Sequence, residues 1–119
     1  MSSESHLQVR FLLAAPARLP SVRLFRRNVI AVRVEDRTIR AGIAGQADLY
    51  ALVRGGRHVE VELKNVGETL NPDQRVWRDW CVEWDIPHIV LTAKKNESAE
   101  ETVDRWCKEL STLITSALH

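Results

Sequence analysis

Residues 48–64 read Asp48-Leu49-Tyr50-Ala51-Leu52-Val53-Arg54-Gly55-Gly56-Arg57-His58-Val59-Glu60-Val61-Glu62-Leu63-Lys64. Two runs rich in β-forming residues flank a Gly-Gly pair, which is the pattern of a β-hairpin. The second arm alternates strictly. Strand side chains switch faces at every residue, so Val59, Val61 and Leu63 share one face while Glu60, Glu62 and Lys64 share the other. The apolar row predicts a core contact. The charged row, with alternate side chains ~7 Å apart, fits either a stripe of compensating charges or half of a metal site. Magnesium takes oxygen ligands, typically one or two protein carboxylates with water and substrate phosphates. A lysine beside such a site helps to activate the attacking water or stabilises charge developing on phosphorus.

The turn decides whether Asp48 joins that row. A two-residue Gly55-Gly56 turn sets Arg54 opposite Arg57 and points Asp48 away from Glu62. A three-residue loop of Arg54-Gly55-Gly56, with Gly56 left-handed in a bulge, sets Asp48 opposite Glu62 and Tyr50 opposite Glu60. A site using both carboxylates therefore predicts the bulged loop, or an equivalent bulge along the arms.

Upstream, residues 4–15 read as an amphipathic helix through Leu7, Phe11 and Ala14, with Pro16 and Pro20 ending it. Val22 to Val34 reads as one or two strands, and residues 35–47 as turn-like around Glu35-Asp36, Gly42 and Gly45. Downstream, Asn71 is a good N-cap, Pro72 suits the first helical position and Asp73 favours the positive end of the dipole. That helix carries Val76, Trp77, Trp80, Cys81 and Trp84 on one stripe, expected in the core, and Pro87 prevents its continuation. His88 to Leu91 is a buried-type strand. A last helix begins at Ser98 and is apolar at Val103, Trp106, Cys107, Leu110, Leu113 and Ile114. The order predicts a single α/β domain over 1–119, a mixed central sheet flanked by helices.

With 119 residues and 45% hydrophobic content, the chain is sized for one globular domain and is not a disordered one. Its apolar runs fall short of the ~20 residues of a membrane span, and the N-terminal residues lack the basic region of a secretory leader. A cytoplasmic protein without a membrane partner is expected. Two cysteines make neither a disulfide framework nor a metal-site spacing. Both are expected as buried thiols, and His58 and His88 as strand-end residues. No Gly-rich phosphate loop is present, so no nucleotide cofactor is expected.

A net charge of +1 hides an asymmetry: residues 1–40 carry eight arginines and a net +5, whereas residues 60–119 carry a net −5. Arginine's planar fork suits bidentate phosphate contact. A localised basic stretch is the footprint of a polyanion partner, although charge alone fits a solvated surface equally well.

Asp48 followed by Glu62-Leu63-Lys64 resembles the PD-(D/E)xK nuclease signature, an acid on one strand and acid-x-lysine on the next. Phe25-Arg26-Arg27-Asn28, Gly42-x-x-Gly45-x-x-Asp48-Leu49, Val61-Glu62-Leu63-Lys64 and Leu70-x-Pro72-x-Gln74 follow in order. That series is similar to the VRR-NUC (virus-type replication-repair nuclease) family over roughly residues 23–92. The resemblance implies a restriction-endonuclease-like αβββαβ core. It implies Mg²⁺ or Mn²⁺ held by Asp48, Glu62 and the Leu63 carbonyl, with Lys64 as catalytic lysine and Gln74 behind the site. The family's additional glutamate on the first helix would fall on Glu4, the only acid there. Glu60 matches no family motif, but its parity allows a supporting role at the metal.

These residues predict a metal-dependent DNA endonuclease, with Arg26, Arg27, Arg40, Arg75 and Arg78 as phosphate contacts that carry no sequence information. Lacking a sequence-reading element, such a domain is expected to recognise branched DNA, a four-way junction or flap, in repair, recombination or replication. Paired incisions of a junction call for a C2 homodimer. The alternatives are a catalytically silent nucleic-acid-binding module of the same fold and a protein-interaction domain whose charge row is only a solvated edge.

Overall fold

Leu7, Phe11 and Ala15 recur four residues apart and are all buried, giving α1 (Glu4–Arg18) one apolar stripe. The computed structural model describes residues 4–28, 31–40 and 42–117. The helix runs past Pro16 and ends at Arg18, rather than stopping at residue 15. Proline's ring fixes a φ compatible with the helix, and the backbone bond it lacks falls in the last turn, where Leu19 N–H still reaches Ala15 O at 2.8 Å.

β1 (Val22–Arg26), β4 (Leu49–Val53), β5 (Arg57–Lys64) and β6 (His88–Thr92) form one mixed sheet in the order β1-β4-β5-β6. The first two pairings are antiparallel and the last is parallel. A parallel neighbour requires a crossover, which α2 (Pro72–Glu83) supplies. Between β1 and β4 a separate two-stranded sheet is inserted, β2 (Ala31–Val34) with β3 (Arg37–Arg40). Glu35 and Asp36 turn it, as expected, with Glu35 at φ 57°. β3 itself was expected as turn. Its described side chains, Arg37, Thr38 and Ile39, are all exposed, Ile39 at 46%, so no buried parity marks it.

The apolar parity of the sheet is the core. Leu49, Ala51, Val59, Val61, Leu63, Ile89 and Leu91 are buried beneath α1 and α3 (Ala99–Ala117). Phe11 and Trp106 meet edge to face, centroids 5.6 Å apart, and the Trp106 indole N–H donates to Thr92 O at 3.2 Å. A capping box of Ser98 and Glu101 starts α3.

α2 lies on the other, polar face, and this divides the tryptophan stripe expected in the core. Trp77 and Cys81 are buried, but Trp80 is 39% and Trp84 64% exposed. A helix seated on a row of charged side chains buries only the residues directly above that row. Among the described residues, no helix is long and apolar enough to cross a membrane.

Candidate active site

The hairpin has the bulged register. Val53 pairs with Arg57 and Tyr50 with Glu60, leaving Arg54, Gly55 and Gly56 as the loop, with both glycines at positive φ (94° and 76°). Leu49 opposite Val61 places the preceding residue, Asp48, beside Glu62 on the polar face. Two backbone bonds fix Asp48 there. Its carbonyl accepts from Arg27 N–H at 2.9 Å, continuing the β1–β4 ladder, and its Oδ2 accepts from Leu63 N–H at 3.0 Å.

Glu62 is buried, at 1% exposure, and Gln74 reaches it from α2. The Asn71 side chain accepts from Gln74 N–H at 2.8 Å, while Gln74 Oε1 accepts from Asn71 N–H at 2.9 Å. This capping box holds the amide oxygen on the cap and directs Nε2 to Glu62 Oε1, 3.3 Å away. The approach of α2 depends on Gly45. A Cβ there would stand 2.2 Å from Asp73 O, and its φ of +84° also favours glycine. Gly45 therefore has a physical reason: it lets the turn ahead of Asp48 press against the first turn of α2. Lys64, 7% exposed, closes the row at the end of β5.

Glu60 does not join the carboxylate pair. Arg27 grips it with both terminal nitrogens (2.5 and 2.7 Å), Trp77 Nε1 donates to Oε1 at 3.0 Å, and the His58 ring Nε2 bonds Oε2. Burial pushes this carboxyl up, but the bonds from Arg27, His58 and Trp77 outweigh it and hold it below its ordinary value. A carboxylate so engaged ties α2 and β1 to β5 and is not placed to support a metal. The parity of the strand put Glu60 on this face; its partner, 33 positions away, had no signal in the sequence.

The arginines expected at phosphates divide similarly. Arg27 is committed to Glu60 and to Ala47 O at 3.0 Å, so its guanidinium serves the fold. Arg26 shares the parity of the core-facing Val22 and Leu24, which sets it on the sheet face opposite Asp48. Arg75 is exposed beside the start of α2, donating to Leu70 O, and Arg78 pairs with Asp79 at the surface. Arg40 ends β3 and Glu4 begins α1, but both side chains lie outside the described residues.

Burial pushes the Cys81 thiol up to about 11 and raises Cys107, which suits inert core thiols. His88 begins β6 opposite Glu60, and burial holds its imidazole below the ordinary value.

The donor set fits a hard divalent cation. Asp48 and Glu62 supply two carboxylates on one face, within the one or two that Mg²⁺ takes from protein. Among the described residues no group of three or more His, Cys, Asp or Glu side chains is assembled that could hold a metal. No family model, curated protein or solved structure matches this chain.

Proposed function

We propose that the domain is a metal-dependent DNA endonuclease of the PD-(D/E)xK kind, similar to the VRR-NUC family, with a restriction-endonuclease-like core. One observation carries the reading: Asp48, Glu62, Lys64 and Gln74, from three elements, converge on one polar face, with Gln74 bonded to Glu62 and Asp48 bonded to the Leu63 amide. With the β2–β3 hairpin set aside, the order of elements is also αβββαβ, followed by α3.

Asp48, Glu62 and the Leu63 carbonyl would hold Mg²⁺ or Mn²⁺, which supplies Lewis acidity and positive charge to phosphodiester hydrolysis. Gln74 orients the Glu62 carboxylate. Lys64, largely withdrawn from solvent, offers its ammonium to the negative charge that builds on the phosphoryl oxygens. Arg75, at the start of α2, is a phosphate contact. The preferred substrate is branched DNA, cut by a C2 homodimer that presents two sites.

The test is cleavage of labelled linear duplex, single strand, 5′ flap and four-way junction in Mg²⁺ and in Mn²⁺, with Glu62→Ala and Lys64→Ala in parallel. Metal-dependent cutting lost in both variants is expected. Tight, salt-sensitive binding without any cutting would instead establish the silent binding module. A monomeric mass on DNA would count against junction resolution.

A further inference from the structure

Beside the carboxylate row lies a stack of rings that hydrolysis does not use. Phe25 and Tyr50, cross-strand partners in β1 and β4, have centroids 5.2 Å apart and planes 17° from parallel; Tyr50 and His58 follow at 5.5 Å and 10°. Strand parity puts Phe25 between Arg23 and Arg27, and the Arg27 guanidinium carbon lies 5.3 Å from the Tyr50 ring centroid. Phe25 nonetheless remains 40% exposed at the end of the stack.

The register relates this stack to the site. The Tyr50–Glu60 row is the row next to Asp48 and Glu62. Same-face rows are ~7 Å apart and neighbouring strands ~4.8 Å, so Phe25 on β1 stands ~8 Å from Asp48 and ~12 Å from Glu62 across the sheet, about two to four nucleotide rises along one strand of a duplex. A base lying on Phe25 would therefore belong to a nucleotide close to the phosphate at the carboxylates. In a duplex that base is covered by its neighbours; unpaired, it can extend the protein's own stack, as bases do on exposed sheet aromatics elsewhere. The second aromatic ladder, Trp77-Trp80-Trp84, is less suited to phosphate company, because its chain neighbours include Asp79, Glu83 and Asp85.

We propose that Phe25, backed by Tyr50 and His58, is a stacking platform for an unpaired nucleobase within a few nucleotides of the scissile phosphate. This rests on the nuclease reading for the place of that phosphate, and it makes DNA with unpaired nucleotides close to the cleavage point the substrate class.

An abasic scan tests it. The full chain is titrated, without divalent metal, with labelled 5′-flap oligonucleotides, whose branch point fixes the register, in which one abasic site is moved along the unpaired strand. Each oligonucleotide keeps its phosphates, so only base contacts differ. Loss of about fivefold or more in affinity is expected at one or two adjacent positions. Phe25→Ala should erase that dependence, Phe25→Trp should restore it, and Trp84→Ala should leave it unchanged. A flat profile, a profile that survives Phe25→Ala, or no binding to any DNA overturns the platform. Cleavage of the same strands with metal separates the two readings: cutting with a flat profile removes the platform alone, whereas a localised profile without cutting removes the nuclease alone.

Discussion

Asp48 Oδ2 accepts a hydrogen bond from the Leu63 amide at 3.0 Å, so the carboxylate that leads β4 is anchored to the backbone between Glu62 and Lys64. The bond spans the hairpin one row beyond its last strand pairing and fixes where the charge of Asp48 sits relative to the Glu62 side chain. An asparagine carbonyl can accept the same bond, which separates the role of charge from that of shape.

Asp48→Asn should therefore fold with stability within ~1 kcal/mol of the wild type. It should lose metal-dependent cleavage and the thermal stabilisation that a bound cation confers on the folded state, about 2.7 kcal/mol at ~100 times Kd. Melting in Mg²⁺ and in EDTA checks this. An undiminished metal-dependent rise in Tm in the variant would remove Asp48 from the ligand set.

Gly45→Ala should be among the most damaging single-methyl substitutions in the chain. The new Cβ would stand 2.2 Å from Asp73 O, and the backbone is in a conformation costing ~1–3 kcal/mol for other residues. Gly55→Ala, at positive φ but with nothing within 4 Å, should show the conformational penalty alone. Urea unfolding of both should find Gly45→Ala clearly the less stable. Because α2 must retreat, Gln74 should also lose Glu62 and cleavage should fall. Equal stabilities would contradict the close approach.

Arg27→Ala should destabilise by roughly 3–5 kcal/mol, the cost of leaving a buried carboxylate without its partner. Arg27→Ala with Glu60→Gln should recover part of that loss, since the charge is removed as well. Chemical denaturation of the two single variants and the double decides it. A loss confined to DNA affinity, with stability unchanged, would return Arg27 to the phosphate contacts.

Acid should unfold the protein through carboxylates that ionise more readily when folded. The hydrogen bonds from Arg105 hold Glu97 down to about 2, and Glu60 is held below its ordinary value. A carboxyl with a depressed folded pKa contributes stability that is present above its unfolded value and lost as pH falls through its folded one. Stability should thus begin to fall as pH drops through the ordinary histidine range, because the buried His88 imidazole resists protonation, and fall further from the ordinary carboxylate range down towards pH 2. Glu97→Gln should be less stable at pH 7 with a shallower acid limb. An unaltered limb would show that Arg105 does not set the ionisation of Glu97.

Features governed by a few adjacent residues were legible before folding. The alternation from His58 to Lys64 separated the core row from the charged row, because strand side chains have period two whatever surrounds them. Asn71, Pro72 and Asp73 marked the start of α2, since a helix end must satisfy its own amides; that Gln74 closes the cap appeared only in the fold. The Arg54-Gly55-Gly56 run marked the hairpin turn but allowed two registers; the folded hairpin, with Val53 opposite Arg57, decided that Asp48 and Glu62 share a face.

Other features depended on where distant elements came to rest. The stripe of α2 contains Trp80 and Trp84 as plainly as Trp77, yet only docking on the polar side of the sheet decided which ring is buried. Arg27 read as one of eight N-terminal arginines until the sheet brought it to Glu60. β3 carried no burial signal because its hairpin stands clear of the core. Helical and strand periods are local properties of the chain, but the side on which a crossover helix packs, and the charge that meets a given arginine, are fixed only when segments far apart in sequence share one surface.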